Sequence, residues 1–227
     1  MRRRKEQSLI DAFFNYLNRV AVDNGRVVTR CSMDGQDSIL GADYIFTNST
    51  RFVLVEFKYE KIHLKDECKK NRRLHLCQAL DTAELWRQLS LECHFVAWSE
   101  MHERRVLNFN QYYPEICNRE IFGVSSGLHW KTPDVDTRMR AGLLAEEFLQ
   151  GTVGAEFDAF EQYTNWLLEL EGQEGGDIEL LIDNPDSNTL EFLEFQSVGG
   201  LKQWLDHTTL APPPPRPKPK PYRGFGP

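Results

Sequence analysis

Apolar and polar positions along the 227-residue chain follow two periods. From Glu6 to Val20, Leu9, Ile10, Phe13, Phe14 and Leu17 recur at helical spacing and predict an amphipathic helix. Glu6 and Asp11 lie toward its start and Arg19 at its end, which suits the helix dipole, and Asn24-Gly25 stops it. The period then shortens. Residues 26–31 read as a strand, Asp34-Gly35 as a turn, and the apolar runs Tyr44–Phe46 and Phe52–Phe57, parted by Asn48-Ser49-Thr50, as a β-hairpin. Residues 74–90 return to helical spacing, 92–99 form a short apolar run with aromatics, and 105–109 suggest one more strand before the loop Asn110–Glu115.

The second half repeats these signals in a different balance. Two helices are expected over 137–150 and 156–171, parted by Gly151 and Gly154. A second hairpin follows around Asn184-Pro185-Asp186, then a short helix over 199–206. From Ala211 the chain reads APPPPRPKPKPYRGFGP, a composition that favours extended polyproline II and cannot fill a core. The expected organisation is therefore a core over 1–110, an acidic helical and hairpin extension over 111–207, and a proline-rich disordered tail over 208–227.

Charge sharpens that division. Residues 143–206 carry fifteen acids against Lys202 alone, and the tail carries four bases and no acid, which leaves residues 1–142 mildly basic. A basic half suits contact with a polyanion and an acidic half does not. The densest basic run holds Lys61, Lys65, Lys69, Lys70, Arg72 and Arg73. No apolar run reaches membrane-spanning length, and the basic N-terminus leads into a helix pattern instead of the apolar core of a signal peptide. The expectation is a cytoplasmic protein with no membrane partner. Five scattered cysteines without a CxxC pair argue against a zinc site or a disulfide framework and read as buried free thiols. The six histidines show no ligand spacing, and no glycine-rich phosphate loop or nucleophile elbow is present.

Three charges stand out in the first hairpin: Asp43, Glu56 and Lys58. Val53, Val55 and Phe57 fill one face of the second strand, and Phe52 and Leu54 lie on the other, so the strand reads as buried on both sides. Residues two apart share a face, which sets Glu56 beside Lys58, and the hairpin brings Asp43 alongside. Two neighbouring carboxylates stay ionised only with a cation between them, and oxygen ligands of this kind suit Mg²⁺ or Mn²⁺. The plainer reading of the same charges is an Asp43–Lys58 ion pair near a sheet edge.

Asp43 followed by Glu56-Phe57-Lys58, within a helix–strand–strand–strand–helix–strand order, resembles the PD-(D/E)XK nuclease superfamily over roughly residues 1–100. The resemblance implies an α/β fold with a restriction-endonuclease-like αβββαβ core, a central mixed sheet flanked by helices, to which an acidic α+β C-terminal part is added. It implies a Mg²⁺- or Mn²⁺-dependent nuclease, with Asp43 and Glu56 holding the metal, Lys58 assisting hydrolysis, Glu6 joining from the first helix, and Gln78 supplying a polar group from the following helix. Ala42 stands where the motif has Pro. It also implies a DNA partner in preference to RNA, endonuclease action, and a place in bacterial or phage defence, where stand-alone members often work. A protein partner held by the acidic half or the proline-rich tail completes the expectation. The alternative is a non-catalytic interaction protein of the same fold that uses those two regions to bind partners.

Overall fold

Strand β3 (Phe52–Lys58) is buried along its whole length. In the computed structural model, which describes residues 2–33, 41–170, 178–184 and 189–207, Val53, Val55 and Phe57 belong to one apolar cluster and Phe52 and Leu54 to another. The strand thus lies between two layers, as its apolar residues on both faces require. Around it are β1 (Thr29–Ser32), β2 (Tyr44–Thr47), β4 (His94–Met101), β5 (Arg105–Gln111), β6 (Met139–Arg140), β7 (Ile178–Asn184) and β8 (Thr189–Phe195). They form one sheet in the order β6-β5-β4-β3-β2-β1-β7-β8. Every pairing is antiparallel except β3 with β4. A parallel pair needs a crossover, supplied by a 3₁₀ segment (Lys61–Lys69) and helices α2 (Asn71–Thr82) and α3 (Glu84–Cys93). The chain is therefore α/β, with a mixed sheet flanked by helices.

Helix α1 (Arg2–Asp23) and helix α6 (Ala141–Gln150) cover one face, where Ile10, Phe13, Leu17, Leu144 and Phe148 meet Phe46, Val55, Phe57 and Phe109. Helices α2, α3, α4 (Tyr112–Ile116), α5 (Arg119–Phe122), α7 (Phe157–Leu170) and α8 (Val198–His207) supply the other layer. There Phe160 stacks on Phe52 with ring centroids 5.3 Å apart.

Several expectations are corrected, the first being the loop over Asn110–Glu115, which is the end of β5 followed by α4. Helix α1 begins at Arg2, so its first turn holds no acid and the predicted dipole match is absent. The helix read over 74–90 is two helices, broken at Ala83 with extended φ −111° and ψ 94°. Thr82 Oγ1 bonds back to the carbonyls of Gln78 and Ala79, and Arg87 Nη1 donates to those of Leu80 and Asp81, so the freed carbonyls of the break are satisfied locally. Cys77 and Cys117 are not free thiols, because their sulfurs are bonded, with Cα atoms 5.0 Å apart. Of the remaining three, Cys31 and Cys93 are buried but Cys68 is exposed.

The boundary expected at residue 110 falls at the end of β5, and the segment beyond it joins the same sheet. Arg140 pairs with Asn108, and Leu180 of β7 pairs with Cys31 of β1. The tail over 208–227 lies outside the described residues. Among the described residues no helix is long and apolar enough to cross a membrane.

Candidate active site

The functional candidates gather at the C-terminal end of β3, beside the parallel strand β4. In open α/β sheets this end of the strands, where the crossover leaves the sheet, is where ligands bind. Asp43 is clamped there by backbone on both sides. Its N–H donates to Val55 O at 3.0 Å, its carbonyl accepts from Met33 N at 3.1 Å, and its Oδ2 accepts from Phe57 N at 2.6 Å. The pairing of Tyr44 with Val55 places Asp43 next to Glu56.

Glu56 and Lys58 share the face of β3 that the 3₁₀ segment covers, and they hydrogen-bond each other. Lys70 adds its ammonium to the same oxygen, Glu56 Oε1, at 2.8 Å. Glu67, fully buried on the 3₁₀ segment, completes the cluster. Lys58 Nζ and Lys70 Nζ lie 2.9 and 3.0 Å from its Oε1. These two contacts are ion pairs, and Oε1 has no aligned hydrogen-bond donor among the described residues. Its Oε2 accepts from Arg73 Nε at 3.2 Å and from the Tyr112 hydroxyl at 2.8 Å. Glu56 Oε2 is buried and has no hydrogen-bond partner among the described residues.

The electrostatics separate the acids. Burial, then the nearby charge of Glu56, pushes the Asp43 carboxyl well above its ordinary value, and Glu6 adds to that push, while Lys58 and the Phe57 N–H oppose it. Burial works against ionisation of Glu67 too, but Lys58, Lys70 and Arg73 outweigh it and hold that carboxyl well below the usual range. Burial works against the charge of Lys58, and Glu56, Glu67 and Asp43 outweigh it, so its ammonium holds its proton more tightly than a free lysine. Lys58 is a fixed cation in this setting, not a base.

A second layer ties Asp43 to Glu67. His94, buried at the start of β4, has its Nε2 3.0 Å from Gly41 O and its Nδ1 2.9 Å from the Tyr163 hydroxyl. Burial lowers its pKa to about 3, so the ring is neutral. A carbonyl can only accept, so Nε2–H donates to Gly41 and Nδ1 accepts from Tyr163. The His94 ring stacks on Tyr112, centroids 4.4 Å apart, and Tyr112 reaches Glu67. Gly41, two residues before Asp43, has φ +78°, and a Cβ there would lie 2.9 Å from Arg73 Nη1. The loop entering β2 is therefore packed against the groups that hold Glu67.

Asp43, Glu56 and Lys58 are thus brought together. Glu6, half-buried near the start of α1, is close enough to act on Asp43 through space. Gln78 is not part of the cluster, and that expectation is corrected: it is exposed and donates to Ser126 O at 2.9 Å. Five residues beyond the inward-facing Arg73, it is turned about 140° around the helix axis. The Asp43–Lys58 ion pair of the plainer reading is replaced by pairs from Lys58 to Glu56 and Glu67.

Glu67, Lys70, Arg73 and Tyr112 are the members that pattern reading missed. The available signal was a spacing of three in Glu67, Lys70 and Arg73, one acid among bases at positions that share a helical face. The basic run is accordingly only partly a solvated surface. Lys70 and Arg73 turn inward, while Lys61 pairs with Glu100 at 3.1 Å and Lys69 with Asp66 at 2.6 Å.

Among the described residues no three His, Cys, Asp or Glu side chains converge as a metal-binding set. No protein-family model, no curated protein and no solved structure matches the chain.

Proposed function

We propose that the chain is a metal-dependent nuclease of the PD-(D/E)XK type that hydrolyses phosphodiester bonds of nucleic acid, DNA in preference to RNA, as an endonuclease. The observation that carries this reading is Glu56. One of its oxygens is buried without a hydrogen-bond partner among the described residues, beside an Asp43 whose ionisation it opposes. A buried carboxylate oxygen without a partner is costly, and a cation shared with Asp43 would satisfy both. The donor set is all oxygen, which fits Mg²⁺ or Mn²⁺. Asp43 and Glu56 would hold the ion, with Glu6 adding negative charge from α1. When bound, such an ion supplies Lewis-acid activation of water and neutralises phosphoryl charge.

Lys58 stays protonated under the pull of Glu56 and Glu67. Its role is therefore to stabilise charge developing on a phosphoryl oxygen, not to remove a proton from water. Glu67 and Arg73 would hold Lys58 in register, and His94 would hold the loop that carries Asp43. The αβββαβ order, with β3 and β4 parallel across the crossover, supports the restriction-endonuclease-like core. A role in bacterial or phage defence belongs to the same proposal.

The test is cleavage of DNA and RNA by the purified full chain with Mg²⁺ or Mn²⁺, compared with Glu56→Gln and Lys58→Met. Loss of a group that stabilises transition-state charge lowers the rate by about 10²–10³, and that loss is the expected result. Cleavage that survives both substitutions unchanged, or a chain that neither cleaves nor binds either metal, would overturn the proposal.

One observation favours the interaction-protein reading instead. Lys58, Lys70 and Arg73 already balance the charges of Glu56 and Glu67. On that reading the cluster is structural, and the acidic half and the proline-rich tail bind protein partners. Absence of both metal binding and cleavage selects it.

A further inference from the structure

Three cations surround Glu56 and Glu67, and they differ in their access to water. Arg73 is fully buried and fixed on Glu67 Oε2. Lys58 has a side chain 7% exposed and rises from the floor of the sheet. Lys70 has a side chain 40% exposed, and it stands in extended backbone, φ −98° and ψ 104°, between the 3₁₀ segment and α2. Its ammonium reaches inward to the two oxygens that Lys58 already serves, Glu56 Oε1 and Glu67 Oε1. Among the described residues Glu56 Oε1 therefore receives two ammonium groups while Glu56 Oε2 receives none.

We infer that Lys70 is an internal counter-cation that competes with a divalent metal for Glu56. The inference rests on the nuclease reading and deepens it by naming what controls metal entry. With Lys70 seated, Glu56 carries a full complement of positive charge, and a divalent ion entering beside it meets two ammonium groups at close range. With Lys70 withdrawn, Glu56 keeps its hydrogen bond from Lys58 and has a carboxylate to share with Asp43. Lys58 cannot make that exchange, because its stem is enclosed by the strand and the crossover. Lys70 can, since its stem starts at the surface and its withdrawal breaks no backbone bond of the sheet. The site consequently holds its carboxylates apart from water before metal arrives, at the cost of weaker metal binding.

The experiment is titration of the full chain with Mn²⁺ alone, read by calorimetry and by the loss of the free-ion electron paramagnetic resonance signal. Wild type is compared with Lys70→Gln and Lys70→Arg. Lys70→Gln removes a unit positive charge from beside Glu56, so it is expected to bind Mn²⁺ at least about tenfold more tightly than wild type. Lys70→Arg keeps the charge and should remain near wild type. A thermal melt of each variant confirms that it folds, and the partial exposure of Lys70 makes retention of the fold the expected result. Equal or weaker Mn²⁺ binding by a folded Lys70→Gln, with wild type binding, overturns the role of Lys70 and leaves the nuclease reading standing. Mn²⁺ binding by neither protein overturns both.

Discussion

The hydroxyl of Tyr112 donates to Glu67 Oε2 over 2.8 Å, which joins α4 to the 3₁₀ segment through a carboxylate with no access to solvent. A hydrogen bond to a buried charge is worth more than an average one, because the carboxylate oxygen has no water to replace it. Tyr112→Phe is expected to destabilise the fold by about 1–3 kcal/mol. Urea unfolding should show a lower midpoint with an unchanged slope. An unchanged midpoint would mean that Arg73 alone satisfies Glu67 Oε2.

His94 makes stability sensitive to mild acid. Its folded pKa is about 3 against an ordinary 6.5. Below about 6.5 the unfolded chain takes up a proton that the folded chain refuses, so stability falls with pH by at most about 1.4 kcal/mol per unit from this group. The contribution is fully present above 6.5 and is lost progressively toward 3. The difference between wild type and His94→Gln, measured by urea unfolding at about pH 7 and about pH 5.5, isolates this group. The variant should lose less stability on acidification than wild type, and parallel losses would refute the assignment.

Asp43 has the opposite sign. Burial and Glu56 raise its folded pKa, so the folded chain binds the proton first, and the penalty of ionising Asp43 appears as pH rises through the carboxylate range. Asn at this position keeps an oxygen to accept the Phe57 N–H and removes the charge. Asp43→Asn is expected to be more stable than wild type at about pH 8, with the difference shrinking as pH falls through the carboxylate range. On the nuclease reading the same substitution abolishes cleavage and removes the stabilisation by added Mn²⁺ that wild type should show. A variant less stable than wild type at the higher pH would show that the charge of Asp43 is already compensated.

Gly41 combines a left-handed backbone with a filled space. At φ +78° an added Cβ would meet Arg73 Nη1 at 2.9 Å and His94 Cε1 at 3.2 Å. Gly25, at φ +66°, has nothing within 4 Å. Gly25→Ala should therefore cost only the backbone term, about 1 kcal/mol. Gly41→Ala should cost about 2–4 kcal/mol, because Arg73 or His94 must also shift. Thermal melts of the two variants make the comparison, and similar losses would refute the packing argument.

How much of this was legible follows from the range of the forces involved. The pairing of β2 with β3 and the common face of Glu56 and Lys58 follow from a period of two and from the apolar residues on both sides of β3. Those are local properties, and residue order carries them. Glu67 was not legible, because six bases around it describe a solvated face, and only contact with β3 reveals that Lys70 and Arg73 turn inward. The same holds for Cys77 and Cys117, 40 residues apart, and for the break at Ala83, where side-chain bonds to carbonyls outcompete a continuous apolar stripe. Gln78 was misplaced because the break and the inward face of α2 set a helical phase that the stripe alone does not define.

The pairing of Cys31 with Leu180 has a consequence for synthesis of the chain. This contact closes a loop of about 150 residues, the kind of long-range pairing that forms late. During translation β1 emerges early and keeps an open outer edge until the second hairpin leaves the ribosome. An uncovered edge strand is a template for pairing with a second nascent copy. The hairpin of β7 and β8 closes that edge. The second hairpin is thus the last piece needed to complete the sheet that carries Asp43 and Glu56.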